Sequence, residues 1–240
     1  MCGRFVVAST AGDLVTLFDV DLVADDLPGA SWNIAPTSRV SVVIDTIPKG
    51  ADDSSEPVRR LEGARWGLVP PWAKDVSVGV TAFNARSETA ASKPLFAASV
   101  KKRRAVIPAT GYFEWSTVDG VKTPHFIHLP DGQLLVFAGL YEWWRNPDAA
   151  DDDPHKWLLS TTILTRAATG ELAAIHDRMP VFLDPSFIDE WLDPSTEGGE
   201  ELLEEVAAVA EEVANSVENY EVDRAVGNVR NNSPELIAPV

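Results

Sequence analysis

The feature that most restricts the fold is a close succession of short extended segments between Arg104 and Leu140. Arg104–Pro108, Gly111–Ser116, Thr123–Leu129 and Leu134–Leu140 are rich in β-branched and aromatic residues, and Pro130-Asp131-Gly132-Gln133 reads as a turn joining the last pair. Strands this close together leave no room for crossover helices, so an antiparallel or barrel-like sheet is expected. Further strands are expected at Arg4–Ser9, Arg39–Ile47, Val58–Trp66, Trp157–Arg166 and Val181–Leu183. Helical spacing is present at Gly12–Val20, after Phe83-Asn84-Ala85-Arg86, from Pro94 to about Val100 and at Pro185–Leu192. In Glu200–Val217, Leu202, Leu203, Val206, Val209, Ala210 and Val213 form one apolar stripe among glutamates, the pattern of a surface helix. Trp32–Thr37 reads as a turn and His176–Pro180 as a polar loop. With 45% hydrophobic residues and eight tryptophans in 240 residues, a single α+β domain spanning 1–240 is expected, with a barrel-like, mainly antiparallel β core and peripheral helices.

The net charge of −17 argues against a polyanionic partner for the surface as a whole. The acid is nevertheless gathered, in insertions near 48–57 and 147–155 and in the helix near 200–217. That distribution is read as a solvated acidic coat, for which adaptation to high salt is the hypothesis, against an acid-specific binding role as the alternative, and it leaves room for a local basic site. No basic segment followed by an apolar run opens the chain, no apolar stretch approaches the roughly 20 residues of a membrane span, and one cysteine permits no internal disulfide. A cytoplasmic, monomeric protein without membrane association is expected.

That one cysteine is Cys2, directly behind the start methionine. Trimming of Met1 would leave an α-amine and a thiol on one residue, a 1,2-aminothiol that traps aldehydes: the amine condenses to an imine and the thiol closes a thiazolidine on the same carbon. A lone cysteine is otherwise a small buried hydrophobe, although a chain end is seldom a core site. Imine chemistry needs a proton carrier within reach. Glu114, flanked by aromatics in Gly111-Tyr112-Phe113-Glu114-Trp115, is the first candidate, against a strand glutamate facing solvent. His176 in its polar loop is the second. His125, His128 and His155 read as structural, and this residue set gives no zinc site; no metal or cofactor is expected. Asn84 and Arg86 flank one alanine and would share a face of an extended segment, an amide and a guanidinium suited to a sugar oxygen and a phosphate. Lys101-Lys102-Arg103-Arg104 offers further phosphate contacts, or a solvated loop.

Met1-Cys2-Gly3-Arg4-Phe5, Trp32-Asn33-Ile34-Ala35-Pro36, Arg65 to Trp72, Phe83 to Thr89, Gly111 to Trp115 and His176 to Pro180 stand in the order found in the SOS response-associated peptidase (SRAP) family, described as abasic-site processing proteins, and the chain resembles that family from residue 2 to about 237. The resemblance implies a single SRAP domain with a narrow positive cleft for single-stranded DNA. It implies that Cys2 crosslinks to the ring-opened sugar of an abasic site, assisted by Glu114, His176 and Asn84, with AP-lyase activity as a side reaction. It also places Arg4, Asn33, Pro36, Trp72, Arg86, Thr165 and Arg178 along the DNA. The acidic charge and Asn232, where an aspartate is common, depart from the pattern. Two other readings fit the same residues: a cysteine peptidase with His176 activating Cys2, and a non-covalent single-stranded DNA binder that stacks bases on exposed tryptophans.

Overall fold

The computed structural model describes residues 2–48, 50 and 56–240; Met1 and most of the insertion expected near 48–57 lie outside the described residues. The first strands are β1 (Arg4–Val7), β2 (Leu22–Val23), β3 (Ser31–Ile34), β4 (Arg39–Thr46), β5 (Val58–Trp66) and β6 (Asn84–Arg86). They are followed by β7 (Arg104–Ala109), β8 (Gly111–Val118), β9 (Val121–His128), β10 (Leu135–Arg145), β11 (Trp157–Ala167), β12 (Arg178–Pro180) and β13 (Glu218–Glu221). Among the described residues six α-helices lie outside the sheets: α1 (Ala11–Phe18), α2 (Ser87–Ala90), α3 (Ala97–Lys102), α4 (Leu172–Ile175), α5 (Ile188–Leu192) and α6 (Glu200–Ala214).

Strands β5, β4, β7, β10 and β11 form a closed ring. Neighbours that alternate in direction cannot close a ring of odd number, so one pair must run parallel. Here that seam is β11 with β5, through Ser160↔Arg65 and Thr161↔Trp66. The seam matters for the site, because β6 continues beside β11 where β5 ends, again in parallel, pairing Ile163 with Asn84 and Thr165 with Arg86. Chain leaving Trp66 thus returns at the same rim of the barrel carrying Asn84. Gly67 permits the exit: its φ is +132°, and a Cβ there would lie 2.2 Å from the Gly79 carbonyl oxygen.

The second sheet is antiparallel, in the order β13-β9-β8-β1-β3. Asp119 and Gly120, both at positive φ (51° and 78°), make the tight turn between β8 and β9. Alternation sorts the side chains of this sheet. Phe5, Tyr112 and Ile127 join the main core, while Val6, Phe113 and Phe126 pack on the other face with Val222, Val226 and Leu236 from the C-terminal segment. Phe5 meets Trp66 edge-on at 4.9 Å and Phe137 at 6.0 Å, tying the sheet to the barrel. Each such ring removes roughly 150–250 Å² from water, about 4–6 kcal/mol before entropy is counted. The α+β domain with a barrel-like core is as expected, and α6 buries Leu202, Leu203, Val206 and Ala210 as its stripe requires.

Several local expectations are corrected. Trp32–Thr37 is not a turn throughout: Ser31–Ile34 is a strand paired with β1, and the turn is confined to Pro36 and Thr37, the latter at φ 76°. The strand expected at Val181–Leu183 lies earlier, at Arg178–Pro180, because it pairs with Thr165–Ala167 of β11; Phe182 keeps only an isolated bridge to Phe137. Pro130–Gln133 does not close a hairpin, since β9 belongs to one sheet and β10 to the other. The helix expected from Pro94 begins at Ala97.

Candidate active site

Asn84 is delivered to the rim by its neighbours. The Trp66 indole N–H donates to the Phe83 carbonyl at 2.8 Å, and the Ile163 amide donates to the same oxygen at 3.1 Å. Held there, Asn84 donates from Nδ2 to the Cys2 carbonyl at 2.8 Å, while its Oδ1 is buried with no partner among the described residues. Cys2 is fully buried in the main core, contrary to the expectation for a chain end; β1 runs through the middle of its sheet and draws its first residues inside. Burial, with the Glu114 carboxyl beside it, pushes the Cys2 thiol well above its ordinary pKa.

Glu114 lies two residues beyond Tyr112 on β8 and therefore on the same, inward face. It is 6% exposed, so the solvent-facing alternative does not hold. Desolvation pushes its carboxyl up from 4.5 to about 7, with Asp177 adding to the rise. Tyr112 lies beside both Cys2 and Glu114, and its own phenol is pushed well above the usual value, chiefly by burial. Helix α4 packs on β8 and ends at His176, which brings that loop to the same place. The Arg178 amide donates to His176 Nδ1 at 3.0 Å, so the neutral ring carries its proton on Nε2. Asp177 Oδ1, 2.9 Å from Nδ1, favours the charged ring, but burial outweighs it and the imidazole pKa is lowered. Cys2, Asn84, Glu114 and His176 are thereby brought to one rim of the barrel.

The residues assigned to DNA fall into two groups. Arg86 is exposed and makes no ion pair among the described residues; Trp72 is 63% exposed, and Pro36 is half-buried at the turn after β3. The others are already engaged. Arg4 donates to Asn33 Oδ1 at 2.9 Å and to the Val226 carbonyl at 2.8 Å, and Asn33 Nδ2 donates to the Val226, Asn228 and Asn231 carbonyls, so this pair pins the C-terminal turn. Asn232, the other departure from the family pattern, accepts from the Ser31 hydroxyl and the Trp32 amide. Arg178 grips Glu88 with both nitrogens, at 2.6 and 2.9 Å, and donates to the carbonyl of fully buried Thr165; contact with a phosphate would require it to leave Glu88.

The run Lys101–Arg104 is not a phosphate-binding patch. Arg104 is 1% exposed, Arg103 is bound to Glu142 and Lys101 to Glu197, which leaves Lys102. Sequence reasoning gave no role to Asp177 or Glu88, and it read His125 as structural without placing it directly across the ladder from Glu114, where it bonds Ser116 at 3.0 Å through Nε2. The i, i+2 alternation around Glu114 and the β8–β9 hairpin was the available signal for His125. Among the described residues no group of three His, Cys, Asp or Glu is placed to hold a metal, and no helix is long and apolar enough to cross a membrane.

A family model described as SOS response associated peptidase (SRAP) matches residues 1–229. The chain belongs to the SRAP family. The abasic site processing protein YoqW of Bacillus subtilis (strain 168) is 36% identical to this SRAP chain over 239 residues, 99% of each. Abasic site processing protein YedK of Escherichia coli (strain K12) is 33% identical over 244 residues, the whole of both. Abasic site processing protein HMCES of Xenopus tropicalis is 31% identical over 234 residues, 88% of this chain and 66% of its own length. A crystal structure of a protein from Bacteroides thetaiotaomicron covers all of both chains with a TM-score of 0.76 at 20% identity, a likeness of fold. Charge is partitioned along this SRAP chain: residues 58–122, which supply Asn84, Arg86 and Glu114, hold eleven Lys/Arg against five Asp/Glu, while the remainder holds nine against thirty-two.

Proposed function

We propose that this protein captures abasic sites in single-stranded DNA as a covalent adduct on Cys2, in a DNA-damage response. The observation that carries the reading is the proximity of Cys2 to a buried carboxyl whose pKa, about 7, suits it to give and take protons at neutral pH. The names of the relatives, all abasic site processing proteins, support the substrate class. After removal of Met1, the Cys2 amine adds to the open-chain aldehyde of the abasic sugar. Glu114 and His176 serve the proton transfers as the carbinolamine loses water to give an imine. The thiol then adds across the C=N bond, its proton passes to nitrogen, and a thiazolidine closes with one water released in all. A buried thiol of raised pKa stays protonated until the imine forms beside it. Asn84 holds the Cys2 carbonyl and offers its vacant Oδ1 to the amine or a sugar hydroxyl. The product stays on the protein, so turnover is single; an imine that fails to close can lose its 3′ phosphate by β-elimination, a lyase side reaction. Arg86 takes a phosphate, Pro36 and Trp72 support flanking bases, Arg4 and Asn33 shape the cleft wall, and Arg178 and Thr165 hold its floor.

Intact mass of the protein after incubation with an abasic oligonucleotide tests the reading. The expected gain is the mass of the oligonucleotide less one water, on a chain lacking Met1, and Cys2→Ala should form no heat-stable adduct. A stable adduct on Cys2→Ala, or on a chain that keeps Met1, contradicts it.

Salt separates the cleft from the coat. With a Debye length of about 10 Å at 0.1 M falling to about 3 Å at 1 M, repulsion from distant carboxylates is screened more completely than contact with a few arginines. Crosslinking should therefore persist or improve in molar salt, whereas Arg86→Ala should be impaired at every concentration. A steep loss between about 0.1 and 1 M salt, with circular dichroism unchanged, speaks against this balance.

A further inference from the structure

Arg65 is a charge that neither the fold nor the site accounts for. It is the penultimate residue of β5 and, because Trp66 points inward to Phe5, it stands on the outer face of the barrel at the rim. Its side chain is half-buried and its Nη1 is buried with no hydrogen-bond partner; among the described residues no carboxylate forms an ion pair with it. Every other partly buried arginine is bonded, among them Arg59 to Asp45, Arg60 to Glu62, Arg103 to Glu142 and Arg166 to Glu211. Arg4 and Arg104 also lack an acid, but amide and carbonyl oxygens satisfy them, whereas Arg65 Nη1 has neither, in a chain with 37 acidic side chains to supply one.

Its neighbourhood makes the omission more costly. Arg65 lies directly opposite Arg39 in the β4–β5 ladder, a pairing of like charges, and Asp26 binds Arg39 alone. The position is well held: the Trp66 amide donates to the Ser38 carbonyl and the Thr37 amide to the Trp66 carbonyl, both at 2.8 Å, which lace the turn after Pro36 to the end of β5. On the other side Arg65 Nη1 lies 3.5 Å from where a Gly67 Cβ would be, and Gly67 opens the segment that later carries Trp72 and Lys74. Ser160, its partner on β11, is three residues before Ile163, the partner of Asn84, or roughly 10 Å along the strand. An unpaired, partly desolvated cation on a rigid support is an anion site.

We propose that Arg65 binds a backbone phosphate of the nucleic acid strand where it crosses the barrel rim between the Pro36 turn and the Trp72 loop. This rests on the DNA reading above, and the test separates the two. Arg65→Met, with Arg65→Gln as the second variant, is compared with the parent for binding of an undamaged oligonucleotide of about twelve nucleotides across a salt series. One lost phosphate contact should weaken binding roughly tenfold and change the slope of log K against log salt by about 0.7 relative to the parent, a difference in which the acidic coat cancels. Arg65→Lys should keep the slope, and Arg65→Met should melt no lower than the parent, because it removes an uncompensated charge. Unchanged affinity and slope in both variants would overturn the assignment. So would a parent whose melting temperature rises with inorganic phosphate but which binds no oligonucleotide, since that marks a free-phosphate site. A parent that binds the oligonucleotide through Arg65 but forms no abasic adduct would refute the crosslinking reading and leave this one standing.

Discussion

Replacing Arg104 by alanine should lower the unfolding free energy by about 4–5 kcal/mol, more than any change at the exposed cations. The guanidinium donates through Nε to the Trp191 carbonyl at 2.6 Å, through Nη1 to the Val100 and Lys101 carbonyls at 3.1 and 2.8 Å, and through Nη2 to the Asp193 and Thr196 carbonyls. These oxygens belong to the last turn of α3, the last turn of α5 and the chain after it, groups that a helix cannot satisfy internally. One side chain thus closes the C-termini of two helices, where a cation is favoured, and it lies over the Trp191 ring with its carbon 5.9 Å from the centroid. Alanine strands four carbonyls, since that of Lys101 keeps the Gly198 amide at 2.9 Å, and leaves a cavity. Lysine, with three donors and no planar fork, should recover about half of the loss. Urea unfolding followed by tryptophan fluorescence measures both; a loss below about 1.5 kcal/mol for alanine would show that water replaces the guanidinium.

Arg104 also shows where sequence reading stops. Beside Lys101, Lys102 and Arg103 it looks like one charge of a surface run, and nothing local reports that β7 begins there and turns the residue inward between two helices. The succession of strands from Arg104 onward was legible because each is a short run rich in β-branched and aromatic residues bounded by turn residues, even where, as in β7 and β10, burial on both faces removes the alternation. Their partners were not: the Pro130–Gln133 turn has hairpin chemistry, yet it leads from one sheet to the other, since pairing is decided by distant segments. The candidate site divides in the same way. Cys2, Glu114 and Asn84 stand out by residue type and flanking aromatics. That Arg178 is spent on Glu88, that Arg4 and Asn33 hold the C-terminal turn, and that Arg65 has no ion pair among the described residues depend on separations of 29 to more than 200 residues or on an absence, and no window of sequence contains them.

Glu114→Gln should stabilise the fold at alkaline pH while slowing adduct formation. The carboxyl moves from 4.5 to about 7 on folding, mainly because burial penalises the charged form. Between these values the folded chain holds a proton that the unfolded chain has released, so the native state binds more protons and stability falls as pH rises. This contribution is therefore complete below about pH 4.5 and lost as pH passes through about 7. At about 1.36 kcal/mol per pH unit, the full penalty above that range is on the order of 3 kcal/mol. Glutamine has the same shape and never ionises. The variant should match the parent near pH 4.5 and exceed it by up to about 3 kcal/mol at pH 8.5, and taking the difference at each pH cancels the carboxylates of the surface, which both proteins share. Adduct formation should run the other way, slower by roughly 10²–10⁴ at pH 7 because the group that exchanges protons with the carbinolamine is gone. Urea titrations at a series of pH values and timed denaturing gels with an abasic oligonucleotide give the two curves. A stability difference that is flat with pH would remove the buried, proton-holding carboxyl from the account, and an unchanged rate would remove it from the chemistry.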